Sequence, residues 1–284
     1  MDIDHITIAG PDLAVLQDSF AAAGLATEYG GRHSNGITHM SWLGFDDYSY
    51  LELVSTLEPK HGVPLWKGHS ANPAGGTAWT IHVDDIEAEA ERIRSRNVAV
   101  HGPVRIERQK PDGVVGKWDL ALPGDAAAPG GVLPFLISDE TPRSVRVRPS
   151  PAVAYPTRTS PGELGGLMIV MIAVTNVEHH IAPFRDLWGW DAPRILDDRD
   201  TGVRLAIFAN EPVVLIAPTQ AATFVRTHLD DYGESPCGCL ISATEFVKTA
   251  RYFRSEPGEL GNLRVAWINL PGVTMLRVGL VDPE

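Results

Sequence analysis

The stretch DHITIAGPDLAVLQDSFAAAG, residues 4–24, decides the fold. From Asp4 to Ala9 polar and apolar side chains alternate with a period of two, the mark of a half-buried strand. His5, Thr7 and Ala9 then share one face and Ile6 and Ile8 the other. Asp12 is a helix cap. Leu13, Leu16, Phe20 and Ala23 follow at helical spacing until Gly24 closes the helix. Further on, Tyr29-Gly30-Gly31 reads as a short strand. Residues 37–44 and 48–55 read as two longer strands joined at Phe45-Asp46-Asp47. The whole is one β-α-β-β-β unit.

The same order returns three times. Residues 77–83 form a strand, Asp84 or Asp85 caps the helix IEAEAERIRSRN, and strand-like runs follow at 98–107, 115–122 and 132–138. A third copy opens on LMIVMIAV at 167–174, with Asn176 capping a helix through about Trp190, then strands at 203–208 and 213–217. A fourth opens on CGCLISA at 237–243; Thr244 caps EFVKTARYFRSE, and NLRVAWINL and TMLRVGLV complete it. Helix starts near 12, 85, 176 and 244 are too far apart for a solenoid and suit a duplicated module. Residues 141–163 hold five prolines and no periodicity, so they read as a linker. The fold class expected is α+β. Paired β-α-β-β-β modules form curved mixed sheets around a cleft, four modules in two domains, 1–140 and 164–284.

Composition narrows the function. The 284 residues are 44 % hydrophobic and 21 % charged, as in ordinary globular proteins. A formal charge of −12 argues against a nucleic-acid partner, which needs a basic surface, and against an anionic membrane surface. No apolar run is long enough to span a bilayer, and the acidic start Met1-Asp2-Ile3-Asp4 is not a secretory signal. The two cysteines, Cys237 and Cys239, read as small buried thiols whose side chains point the same way along a strand, which fits a cytoplasmic setting. Seven of the ten histidines fall in the first half, so chemistry is expected there. No GxGxxG follows a strand, and no Walker loop, GxSxG elbow or HExxH is present.

Asp4-His5-Ile6, Pro11-Asp12-Leu13, Gly30-Gly31-Arg32-His33, Thr38-His39 and Tyr50-Leu51-Glu52-Leu53 occur in an order that resembles glyoxalase-like proteins of the vicinal oxygen chelate superfamily. Trp79, Pro111-Asp112-Gly113, Trp118 and Pro134-Phe135 resemble that family's second module. The resemblance covers most of residues 1–140. It implies a small-molecule site enclosed by paired modules. It also implies a divalent metal, Zn²⁺ or another first-row cation, serving an isomerase- or lyase-type reaction on an oxygenated molecule. The alternative it implies is a metal-free protein that binds or sequesters its ligand, as in bleomycin resistance. His5 falls on the first-strand ligand position and Glu52 on the last-strand one. Counting back from the other caps gives Ala78 and Ile169. The last strands of the second and third modules offer Phe135 or Leu136, and Leu215. A ligand set shared two-plus-two between modules is therefore absent.

Glu52, on a strand face with Tyr50 and Val54, is the candidate metal ligand or catalytic base. A carboxylate amid apolar neighbours needs a partner, so a structural hydrogen bond to His5 fits as well as a ligand pair. His39, between Thr38 and Met40, is the candidate third ligand: two imidazoles and a carboxylate suit a first-row cation. His33 in the Gly30-Gly31-Arg32 turn, His82 on the face of Thr80, Arg108 and Trp118 are the candidate substrate-binding residues. Arg108 would hold a carboxylate or phosphate. A solvated strand face for Arg108, and plain loop, surface or core roles for the others, remain open alternatives. So does a homo-oligomer.

Overall fold

Asp12, Asp85 and Asn176 open three helices, each with its side chain accepting a backbone N–H, from Ala14, Ala88 and His179. This satisfies donors that a helix start leaves unpaired. The computed structural model describes residues 1–58, 73–125, 128–150 and 164–283. The first module is β1 (Ile3–Ala9), α1 (Leu13–Ala22), β2 (Glu28–Arg32), β3 (Thr38–Gly44) and β4 (Tyr50–Thr56). The second is β5 (Gly75–His82), α2 (Ile86–Arg94), β6 (Val100–Gln109), β7 (Val115–Pro123) and β8 (Phe135–Asp139), followed by a short helix, α3 (Arg143–Arg146). The third is β9 (Leu164–Ala173), α4 (Val177–Trp188), β10 (Arg194–Asp198), β11 (Val203–Ile207) and β12 (Val213–Pro218). After α5 (Phe224–Tyr232) comes the fourth: β13 (Ser235–Ala243), α6 (Phe246–Tyr252), β14 (Pro257–Leu260), β15 (Leu263–Ile268) and β16 (Arg277–Val281).

The modules pair into two eight-stranded mixed sheets. Their orders are β2-β3-β4-β1-β5-β8-β7-β6 and β10-β11-β12-β9-β13-β16-β15-β14, the same topology strand for strand. Within each sheet the first strands of its two modules meet antiparallel, β1 on β5 and β9 on β13. Each first strand also lies parallel to the last strand of its own module, as β1 does to β4. The α+β fold of paired β-α-β-β-β modules is thus present. Among the described residues no helix is long and apolar enough to cross a membrane.

The alternation read from the sequence sorts side chains as expected. Ile6 and Ile8 join Leu13, Leu16 and Phe20 of α1 in a large buried cluster. That cluster also takes in Val170, Ile172 and Phe184 of the other half, and Trp79 stacks near Phe184 with ring centroids 6.5 Å apart. The division near residue 150 therefore separates two sheets but not two cores. Gly76 lies so close to β13 that a Cβ on it would sit 2.2 Å from the Pro236 carbonyl oxygen.

The structure departs from the sequence reading in several places. The first residues of the expected linker belong to the N-terminal half: Val147 is buried with Met40, Trp42 and Tyr50, and Ser150 exchanges hydrogen bonds with Gly44. The rest of it, 151–163, lies outside the described residues, as do His61 and His69. Strands β10 and β14 and helices α3 and α5 are additional elements; β10 and β14 are edge strands with largely exposed side chains, which leaves them little hydrophobic pattern. Helix α4 ends earlier than Trp190, at Gly189 in the left-handed conformation (φ 72°). Helix α6 is preceded by Glu245, not Thr244, without a side-chain cap. Cys237 and Cys239 are both buried, but a register shift between Pro236 and Gly238 sends them to opposite faces of β13, into different apolar clusters. Burial pushes both thiols up to about 12.

Candidate functional site

The concave face of the first sheet encloses a cavity of about 230 Å³. Parallel pairing of β1 and β4 sets Thr7 opposite Glu52, and antiparallel pairing of β1 and β5 sets Thr80 opposite His5. Because side chains alternate, His5, Thr7, Tyr50, Glu52 and Val54 all project to this one side. The β2–β3 turn adds His33 from above, tied by Nδ1 to the Thr38 hydroxyl at 2.7 Å. β6 and β7, on the far side of the curved sheet, contribute Arg108 and Trp118. The remaining wall is largely apolar, with Ile106, Leu120, Phe135 and Ile137.

Glu52 is buried and receives the Thr7 hydroxyl hydrogen bond at 2.9 Å. Its carboxylate lies 3.8 Å from His5 Nε2 and 3.6 Å from His33 Nε2. Burial alone would raise its pKa; the close approach of His33, then the charges of His5, His33 and Arg108, bring it down to about 2. His5 stacks on Tyr50 (ring centroids 4.6 Å apart) and meets the Thr80 hydroxyl at 3.1 Å through Nε2. Its Nδ1 meets Asp4 at 2.6 Å, which fixes the ring with Nε2 turned to Thr80 and Glu52.

Beneath this lies a buried ionic network. Arg146 of α3 donates two hydrogen bonds to Asp4 (2.9 and 2.7 Å), two to Asp139 (2.7 and 2.8 Å) and one to the Tyr50 hydroxyl (3.0 Å). Burial would raise the Asp4 pKa, but Arg146 and His5 hold its carboxyl far below the ordinary range. Burial likewise pushes the Tyr50 phenol well up, so it stays protonated. Arg108 is also buried, with 4 % of its surface exposed. Its guanidinium lies over the rings of Trp42 (5.8 Å) and Trp118 (5.5 Å). One amino group donates to the Arg146 carbonyl at 2.9 Å.

The expected site residues divide. His5, His33, Glu52, Arg108 and Trp118 line the cavity. His39 does not. It pairs with Ser55 on the sheet face opposite Met40 and Trp42, half-buried and edge-on to Tyr29. Its pKa is lowered, first by burial and then by Arg32 and His33. His82 sits at the end of β5, 3.7 Å from Asp139, and lines a separate groove with Asp2 and Trp188. Asp4, Thr7, Tyr50 and Arg146 were missed. Thr7 and Tyr50 were legible, since each shares a strand face with a chosen residue. Arg146 lay within text read as linker and carried no local signal.

The imidazole and carboxylate groups on the cavity all come from the first module. Among the described residues no three His, Cys, Asp or Glu side chains come together to hold one. Ala78 stands opposite Thr7, and Phe135 opposite Thr80, at the places where the second module would supply donors. Gly130 closes over both; a Cβ there would lie 2.6 Å from the Ala78 Cβ and 2.9 Å from the Phe135 ring.

The family of the glyoxalase-like domain matches residues 3–160, more than half of the chain. The chain belongs to that family. The match covers both modules of the glyoxalase-like half, α3 and the whole cavity. No curated protein is similar enough in sequence to match the chain. Similar solved structures include a hypothetical protein from Staphylococcus aureus (16 % identity, TM-score 0.62, 98 % of each chain covered). The Mn(II)-bound glyoxalase from Novosphingobium aromaticivorans is another (12 % identity, TM-score 0.59, 99 % of this chain and 81 % of that one). A mutant of 4-hydroxymandelate synthase from Streptomyces coelicolor is a third (11 % identity, TM-score 0.64, 99 % and 92 %). At such identities the likeness is one of fold, here the vicinal oxygen chelate fold in two copies.

Proposed function

We propose that the glyoxalase-like half binds a small oxygenated molecule in the cavity between β1, β4, β6 and β7, without a resident metal ion. The observation that carries this is the cavity itself: apolar walls with a few convergent polar groups, the usual make-up of a small-molecule site. Glu52, ionised and flanked by His5 and His33, accepts a hydroxyl or N–H hydrogen bond from the ligand. Its low pKa suits an acceptor that holds a donor more than a base that removes a proton at neutral pH. The buried free thiols support a cytoplasmic setting.

A metal-assisted isomerase or lyase is the second reading. It is favoured by His5 and Glu52 standing where the family resemblance puts ligands. In it they would hold a divalent cation that polarises a substrate oxygen. Ala78 and Phe135 weigh against it. Metal analysis of the purified protein, combined with Zn²⁺ and Mn²⁺ titrations of wild type and Glu52→Gln, separates the two. The expected result is no stoichiometric metal in either protein. One equivalent of metal whose retention requires His5 and Glu52 would overturn the metal-free reading.

A further inference from the structure

Two arginines are buried side by side under the cavity, and only one of them is neutralised. Arg146 has Asp4 and Asp139 as partners. Arg108 has no carboxylate in ion-pair contact among the described residues; its one hydrogen bond runs to a neutral carbonyl, and its Nε has no partner at all. A guanidinium cannot relieve this by losing its proton. A buried cation without a counter-ion is costly, so a fold that keeps one beside a cavity is built to receive an anion. Trp42 and Trp118 flank the guanidinium. Glu52 acts on Arg108 through its charge, without an ion-pair contact.

We infer that the ligand of this cavity is a small organic acid: its carboxylate pairs with Arg108, its apolar body lies along Trp118, Leu120 and Phe135, and a hydroxyl or N–H at its other end donates to Glu52. This rests on the small-molecule reading above and names the class of molecule. A cavity of about 230 Å³ is below the usual size for drug-like ligands, roughly 300–1,000 Å³, which limits the acid to about one ring or a short chain. Arginine suits the task because its fork matches a carboxylate with two parallel hydrogen bonds.

The test is calorimetric titration with a panel of small hydroxy-acids, each paired with its neutral amide, 4-hydroxybenzoate and 4-hydroxybenzamide among them. Wild type should bind at least one acid about tenfold to a hundredfold more tightly than its amide, the range expected of a charge-assisted pair. Arg108→Gln should abolish that preference, and Arg108→Lys, which keeps the charge but not the fork, should retain part of it. Glu52→Gln should weaken the neutral amide and raise the acid-to-amide ratio, because it removes a hydrogen-bond acceptor together with a negative charge that faces the cavity. Near-ultraviolet circular dichroism confirms that each variant is folded; if Arg108→Gln is not, the Lys variant and the wild-type ratio decide. Amides binding as well as acids would overturn the inference and leave the small-molecule reading standing. A preference that survives Arg108→Gln would also overturn it. No binding across the panel would remove both.

Discussion

The two halves share one topology and fill their concave faces in opposite ways. In the first, Thr7 stands opposite Glu52 across β1 and β4; in the second, the matching pair across β9 and β12 is Met171 and Val214. Two residues earlier, His5 has Ile169 as its counterpart, and Thr80 has Leu240. Ile169, Met171, Val214 and Leu240 are buried together with Val225 and Leu229 of α5, so the second concave face is a packed apolar core. Leu215, the position expected from the sequence to replace a ligand, lies one residue out of register and faces the helices instead. The difference teaches that this scaffold does not require a site. Apolar side chains close the second sheet, whereas the first keeps a cavity beside a buried ionic network. In that network Arg146 joins Asp4 of β1 to Asp139 of β8.

The comparison breaks most severely at Arg146. Arg146→Met should destabilise the protein by about 3–5 kcal/mol in urea unfolding, because buried Asp139 loses its arginine and buried Asp4 keeps only Arg143, at 3.1 Å, of its two. It should also abolish ligand binding. A loss below about 1 kcal/mol would show that the network does not hold the cavity open.

Next comes the reciprocal experiment in the second half. Val214→Glu places a carboxylate where Glu52 stands in the first, but among the apolar side chains of Ile169, Met171 and Leu240. At pH 7 it should cost about 3 kcal/mol, as the buried carboxyl takes up a proton rather than ionise. Its unfolding stability should improve towards pH 5, the opposite of wild type. Equal tolerance at pH 7 and pH 5 would mean that solvent reaches this face.

The smallest effects distinguish the halves by pH. Burial, chiefly, brings His228 of α5 from 6.5 down to about 4, where it stays neutral between the Met275 carbonyl and Ser235. Its folded pKa lies below its unfolded one, so its contribution is complete above about 6.5 and is lost as the pH falls towards 4. Glu52 behaves alike in a lower window: complete above 4.5, lost as the pH falls towards 2. Urea unfolding against pH should therefore flatten between 6.5 and 4 in His228→Asn, and between 4.5 and 2 in Glu52→Gln. Unchanged slopes in either variant would contradict the corresponding assignment.

The sequence alone determined the module order, because period-two strands, polar caps and the helix stripe of Leu13, Leu16 and Phe20 are local signals that do not depend on distant partners. It also determined which face of β1 and β4 carries His5 and Glu52, since alternation along a strand is geometric. Only the tertiary structure decided that His39 faces away, because a register of pairing, not a residue type, sets the side of β3 on which it projects. Only the tertiary structure found Arg146: its two aspartates lie 142 and 7 residues away in sequence, and no local pattern reports a partner brought in by folding. The same holds for Arg108. Its type was visible in the sequence, but its lack of a counter-ion is a property of everything that packs around it.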